Sequence, residues 1–321
     1  MGAYLTWGLL AVSALIVAAP LAMALNEAWQ ARRDRTQLRP RGRLVDVGGG
    51  RRLHLFAKGE GRVVVLITGG GEPGAFLTPL QDRVAAFARA CMYDRPGFGW
   101  SDPAQAPMTF EAHARDLHAL LTGAAEPGPY LLVAESFGGL IARSFLRLYP
   151  GDVAGLLLVD AAEEEQVFDL LPVLRAGAQR QLAVVRFALP LGLVRRAVNQ
   201  GLGKRFPVDA RRELAGLMSR PAHWRASARE IQAYDLTPAA DRHAGGFGAV
   251  TRPLTVIAHG KPLSGALQAA EPGWREGQKR LAGLSASSRF VVAEHAGHAI
   301  AQEDPDLVAA EVRAMLTPDA R

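Results

Sequence analysis

Residues 130–150 read YLLVAESFGGLIARSFLRLYP: an apolar run, one serine held among small residues, then a helical pattern. Tyr130 to Ala134 is short and wholly apolar, as a strand buried on both faces requires, and from Gly138 onward Leu140, Ile141, Phe145 and Leu148 recur on one helical face. Ser136 therefore stands where a strand turns sharply into a helix. Such a turn needs very small side chains two positions before and after the serine, and Ala134 and Gly138 supply them, so the pattern is G-x-S-x-G with its first glycine replaced by alanine. The turn exposes the Ser136 hydroxyl, points the amino terminus of the following helix at it, and frees the Phe137 N–H to bind an oxyanion.

Two further motifs lie in a fixed order around this one. YDRPGFGWSD occupies 93–102, upstream of AESFGG, and AGHAIAQEDPDLV occupies 296–308, near the end. On these three motifs the chain resembles the α/β-hydrolase superfamily over roughly Gly42 to Leu316. The resemblance implies an α/β fold: a mostly parallel central sheet with helices on both faces and a helical cap inserted after the sixth strand. It gives the glycine-rich turn a structural place bordering the site, and the terminal histidine loop the base. The chain departs from the family pattern in two respects: Glu135 stands where many members have histidine, and no aspartate follows the seventh strand.

A chain of 321 residues with 49% hydrophobic content is long enough for one large core. The formal charge of +6 is mostly local, because residues 1–43 carry six arginines against Glu27 and Asp34, leaving about +2 for the remainder. A nucleic-acid partner is therefore not indicated. The single cysteine, Cys91, excludes an internal disulfide and falls in the apolar approach to a strand, where it reads as core.

Ala3 to Leu25 holds no charged residue across 23 positions, long enough to cross a hydrocarbon core as a helix. A cleaved signal peptide wants a basic start and a shorter apolar core, so the segment reads as an uncleaved transmembrane anchor. Arg32, Arg33, Arg35, Arg39, Arg41 and Arg43 follow at once. By the positive-inside tendency they hold that flank, and the hydrolase behind it, in the cytoplasm. The organisation expected is an anchor and basic linker over 1–41, a core over 42–161 and 251–321, and a cap over 162–250.

Within the core, Arg43 to Val47 and Arg51 to Ala57 flank Gly48-Gly49-Gly50 as an opening hairpin. Val63 to Ile67 is the next buried strand and ends in Thr68-Gly69-Gly70-Gly71-Glu72. Glycines there allow close backbone approach to a substrate, and the family's second oxyanion N–H falls on Gly70. A phosphate loop would need a Gly-Lys-Ser/Thr ending, which is absent. Phe76 to Ala90 reads as a helix, Ala90 to Tyr93 as a strand, and Thr109 as the cap of a helix reaching about Leu121, on which His113 and His118 are surface or packing residues. Between Ala161 and Arg252 leucines and valines are spaced among arginines and broken by prolines, a pattern of short amphipathic helices suited to a cap over a pocket. Pro253 to Ala258, a helix from Glu271 to Leu284, Arg289 to Ala293, and a last helix from Pro305 to Leu316 complete the pattern.

A serine hydroxyl is a poor nucleophile unless a base takes its proton, and a third group must hold that base in the right tautomer. Ser136 and His298 fill the first two roles; His295 and His298 lack the companions of a metal site, and no cofactor is implied. A serine nucleophile disfavours the dehalogenase and epoxide-hydrolase routes through an alkyl ester. Hydrolysis of small, apolar carboxylic esters leads. Aminopeptidase, thioesterase and carbon–carbon bond hydrolysis on the same residues are the alternatives, and a non-catalytic binding protein on the same fold is another. For the acid, His259-Gly260-Lys261-Pro262-Leu263-Ser264 offers no carboxylate after the seventh strand. Asp160, closing the sixth strand, takes that place, as in some family members, with Glu163, Glu164 and the more distant Glu271 behind it.

Overall fold

The computed structural model describes residues 2–202, 205–243 and 245–317, and of 2–6, 8–15 and 265–267 the backbone alone. Eight strands form one sheet in the order β1-β2-β4-β3-β5-β6-β7-β8. They are β1 (Arg43–Asp46), β2 (Arg52–Lys58), β3 (Val63–Ile67), β4 (Arg89–Tyr93), β5 (Tyr130–Glu135), β6 (Val153–Val159), β7 (Leu254–His259) and β8 (Arg289–Ala293). The opening hairpin β1–β2 joins β4 antiparallel, and every later pairing is parallel.

The apolar runs are explained by a sheet covered on both faces. Val63, Val65 and Ile67 of β3 belong to one buried cluster, with Leu132 and Ala134 of β5 and Leu156 and Leu158 of β6. Their alternates Val64, Leu66, Leu131, Val133, Leu157 and Val159 belong to the other. Strand residues alternate faces, so a strand with two buried faces has no polar position. Each fully buried Val or Leu contributes about 1.5–3 kcal/mol. On the first face lie α3 (Phe110–Gly123), α4 (Gly138–Leu148) and α10 (Glu271–Ala282); on the second lie α2 (Thr78–Val84), α11 (Ile300–Glu303) and α12 (Pro305–Leu316). Thr109 caps α3, its side chain accepting from the Ala112 N–H, and Cys91 is fully buried.

Between β6 and β7 the chain forms α5 (Glu164–Asp169), α6 (Leu171–Ala188), α7 (Leu193–Leu202), α8 (Val208–Met218) and α9 (Pro221–Asp235). The helix expected over Phe76 to Ala90 is shorter. After one 3-10 turn, Gly74–Leu77, α2 stops at Val84, because the Phe87 and Ala88 amides both turn back onto the Val84 carbonyl. That reversal brings Arg89 into register beside Val63.

The amino-terminal reading is corrected in one respect, the linker. Residues 2–37 form one helix, α1 (Gly2–Gln37), yet among the described residues no helix is long and apolar enough to cross a membrane. Of the expected span, the side chains of residues 3–6 and 8–15 lie outside the described residues. Nor is the segment behind it a free basic linker. Its two acids, Glu27 and Asp34, are buried against the cap, where Arg195 of α7 donates to Glu27 at 2.8 and 2.9 Å and to Asp34 at 2.7 Å. Gly216 of α8 fits under the same helix, since a methyl there would meet Asp34 at 3.0 Å and Leu38, just past the helix, at 2.6 Å. Counting charge alone hid this, because the two acids looked like dilution of a basic run.

Candidate active site

The sheet order brings the carboxyl ends of β3, β5, β6 and β7 side by side, and each carries one part of the site. At the end of β5, Ser136 has φ +50°, the strained turn that the small flanking residues permit. A methyl on Gly138 would lie 2.8 Å from the Thr68 carbonyl oxygen, so only glycine lets the elbow sit this close to β3.

His298, on the loop between β8 and α11, places Nε2 3.0 Å from Ser136 Oγ and Nδ1 2.6 Å from Asp160 Oδ2. A carboxylate only accepts, so Nδ1 carries the ring proton and Nε2 is free to take that of Ser136. Trp274 packs edge-on to the imidazole at 4.9 Å. Asp160 is fully buried, with φ +42°. Burial works to raise its pKa, but hydrogen bonds from His259 and His298 and the attraction of both rings win and hold it below the usual aspartate value.

Sequence reasoning missed His259, which occupies the end of β7. Its Nδ1 lies 2.8 Å from Asp160 Oδ1, and its Nε2 lies 3.2 Å from Glu271 Oε1. Burial opposes its charged form, yet the bonds and charges of Asp160 and Glu271 hold its pKa above the ordinary histidine value. The site is thus a chain of five groups: Ser136, His298, Asp160, His259 and Glu271. Glu271 meets His259, not His298. Of the other fallback acids, Glu163 accepts from Arg280 and the Gln166 amide, and Glu164 pairs with Arg143, so neither turns toward the imidazole of His298.

Gly70 and Phe137 lie close together: a methyl on Gly70 would lie 3.4 Å from Phe137 Cβ, and among the described residues neither amide has an acceptor. The loop that carries Gly70 is fixed from behind by a residue the sequence left as part of a turn. Arg95, fully buried, donates to the Thr68 carbonyl at 2.9 Å and the Gly69 carbonyl at 2.7 Å, and pairs with Glu230 of the cap. Glu230 in turn accepts from the Gly71 N–H at 2.7 Å, so Gly71 is occupied and Gly70 is the free donor.

Two more carboxyls stand beside the serine. Glu135 accepts from the Ala301 N–H at 3.3 Å and the Gln302 amide at 2.9 Å, tying the elbow to the helix behind His298. Burial first, then the charge of Glu72, pushes its pKa well up. Among the described residues Glu72 Oε2 is sealed from solvent without a partner, 3.2 Å from where a Gly69 methyl would lie, and that methyl would lie 3.4 Å from Ser136 Cβ. Burial outweighs the pull of Arg95 and His298 and pushes Glu72 up to about 7.

Residues 64–311 match the model of a family described as "Alpha/beta hydrolase family". An uncharacterized protein of Schizosaccharomyces pombe is 36% identical over 81 residues, which are 25% of this chain and 15% of its own. The pimeloyl-[acyl-carrier protein] methyl ester esterase of Shewanella sp. (strain MR-7) is 30% identical over 125 residues, 37% of this chain and 44% of that one. The chain therefore spans less than half the length of either curated relative. The solved structure of a thermophilic esterase from Thermogutta terrifontis superimposes with a TM-score of 0.63 at 22% identity, covering 85% of this chain and 97% of the other, a likeness of fold. With the family match running from β3 to the last helix, the chain belongs to the alpha/beta hydrolase family and has its fold.

Proposed function

We propose that the protein hydrolyses small apolar carboxylic esters through an acyl-enzyme on Ser136. The observation that carries this reading is the Ser136–His298–Asp160 alignment, at 3.0 and 2.6 Å, opposite two free amides. Ser136 Oγ attacks the ester carbonyl carbon while His298 Nε2 takes its proton. The oxygen that gains charge is received by the Gly70 and Phe137 N–H groups, each such donor contributing roughly 3 kcal/mol in acyl-transfer enzymes. Collapse expels the alcohol, protonated by His298; water, deprotonated by the same imidazole, then releases the acid and restores Ser136. The Shewanella relative named as a methyl ester esterase supports an ester over an amide.

A fluorophosphonate probe tests the nucleophile, and a series of p-nitrophenyl esters of increasing acyl length tests the substrate class. Covalent labelling of the wild type that is lost in Ser136→Ala, with turnover on the esters, is expected. Folded protein that neither labels nor turns over any ester would refute the proposal.

We propose further that α1 holds the enzyme at a membrane with the hydrolase on the cytoplasmic side. Support comes from the uncharged stretch Ala3 to Leu25 and the arginines that follow it. The full chain should remain with membranes through a high-salt wash, and recovery of a soluble form beginning near Asn26 would overturn both anchor and placement.

A further inference from the structure

The turn between α6 and α7 is a part of the cap that touches α1. A methyl on Gly192, in that turn, would lie 2.9 Å from Glu27 Oε2 and 3.5 Å from Glu27 Cβ. Glu27 is also the first buried side chain described along α1; before it Ile16, Val17, Leu21 and Leu25 are exposed. At 1.5 Å per residue, Leu25 lies about 3 Å further along the axis than Glu27. The end of the uncharged stretch Ala3 to Leu25 therefore stands level with the α6–α7 turn, where α1 leaves the domain.

The two helices that meet at this turn expose apolar side chains beside arginines. On α6, Arg180, Val184 and Phe187 share the face opposite the buried Val185, with Val184 66% and Phe187 73% exposed. On α7, Leu193, Arg196 and Ala197 share the exposed face opposite the buried Val194. Arg175, Arg195 and Arg205 have carboxylate partners, whereas Arg180, Arg186 and Arg196 have none among the described residues. The sequence shows why partners are scarce: from Leu170 to Val208 there are six arginines and one lysine but no aspartate or glutamate. A single exposed apolar residue is ordinary. Apolar residues grouped on a wholly basic segment, at the level where an uncharged helix leaves the domain, are not.

We infer that the α6–α7 corner of the cap is a second membrane contact: Val184, Phe187 and Leu193 enter the bilayer interface while Arg180, Arg186 and Arg196 meet anionic lipid headgroups. The inference rests on the anchoring proposed for α1. With α1 in the bilayer as far as Leu25, the Arg195 pairs to Glu27 and Asp34 hold this corner at headgroup level. Helices that carry basic residues beside apolar ones settle at that depth, and the negative surface potential of anionic lipid draws the arginines toward it. The competing occupant is a second copy of the chain. A basic corner without an acid repels its own image and complements an anionic surface.

Phe187→Cys in the full chain, labelled with an environment-sensitive fluorophore, tests the contact. Cys91 is fully buried, and Ser287→Cys, in the turn before β8 at the end of the strands remote from the cap, is the control. Each is reconstituted into vesicles of phosphatidylglycerol and phosphatidylcholine in equal parts, with a nitroxide quencher on lipid just below the headgroups. The 187 label should lose roughly half its fluorescence or more while the 287 label keeps its own; quenching at 187 should fall roughly twofold in phosphatidylcholine alone, or when Arg180, Arg186 and Arg196 are all changed to Gln. Flotation in high salt reads the anchor separately. A chain that does not float with the vesicles overturns anchor and contact together, whereas a floating chain with 187 unquenched, or with 187 and 287 quenched alike, overturns the contact alone. Quenching indifferent to lipid charge and to the arginines would overturn the headgroup assignment. Disulfide linking of Phe187→Cys copies without quenching would give the corner to a second chain.

Discussion

Replacing Asp160 by asparagine asks how much of the proposed chemistry rests on charge and how much on tautomer. The carboxylate sits 2.6 Å from His298 Nδ1 and 2.8 Å from His259 Nδ1, one oxygen to each ring. When His298 becomes an imidazolium, it and the carboxylate have charge centres about 5 Å apart; at an effective dielectric near 20 their attraction is about 3 kcal/mol. Losing it lowers kcat by about two powers of ten. In triads with one histidine, asparagine also forces the wrong tautomer, and the total reaches about four powers of ten. Here His259 offers a way out. Its Nε2 faces Glu271 Oε1, so it can carry its proton there and accept the asparagine NH₂ at Nδ1, leaving the amide oxygen for His298. Asp160→Asn should therefore lose about two to three powers of ten in kcat on a p-nitrophenyl ester, with the melting transition retained. Asp160→Asn combined with Glu271→Gln, which weakens the acceptor that stabilises the alternative His259 tautomer, should fall further. Near-normal turnover in Asp160→Asn, or a collapse in Glu271→Gln alone, would refute the reasoning.

Glu72 is pushed from an ordinary 4.5 to about 7, so the fold favours its neutral form; the resulting destabilisation is absent below the unfolded value and grows as pH rises through the folded one. Glu72→Gln should thus gain about 2–3 kcal/mol over the wild type in urea unfolding between pH 4 and pH 8, and an equal offset at both pH values would show that folding does not raise the Glu72 pKa. Arg195→Met strands Glu27 and Asp34, each under 10% exposed as side chains, and should cost about 3 kcal/mol by thermal unfolding; an unchanged transition would show that α1 does not dock on the cap. Arg95→Lys cannot span the Thr68 and Gly69 carbonyls together with Glu230, and by loosening the Gly70 loop it should lower kcat about 10- to 100-fold with ester KM little changed. A change confined to KM would remove Arg95 from the oxyanion loop's support.

The parts of the site read in sequence were those whose chemistry imposes a local pattern. Ser136 needs small neighbours at fixed offsets, and Gly70 needs a glycine-rich strand end, so both leave a trace within a few residues. Strand runs such as Val63 to Ile67 were equally plain, because two buried faces remove every polar position. Asp160 came from the family resemblance, since some members take the acid from the end of the sixth strand when none follows the seventh. His259 leaves no such trace: the imidazole stands where a carboxylate is the usual group and acts only through a side chain 99 residues earlier.

The remaining features depend on contacts that no spacing encodes. Arg95 sits in a turn whose glycines and proline explain themselves, and its importance appears only when Glu230, 135 positions later, closes the pair. Glu27 and Asp34 look like ordinary charges on a basic helix until Arg195 of the cap meets both. These two ties share a consequence. One joins the cap to the loop carrying Gly70, and the other joins the cap to α1, so the cap is fastened both to the oxyanion side of the site and to the amino-terminal helix. A chain cut at residue 40 would retain Ser136, His298 and Asp160 but expose Arg195 and uncover the α8 surface at Gly216. Any displacement of α9 that followed would be felt first at the Gly71 amide, one residue from the proposed oxyanion donor. Changes in turnover on removing α1 therefore carry no information about membrane binding unless Arg195→Met, in the full-length chain, leaves turnover intact.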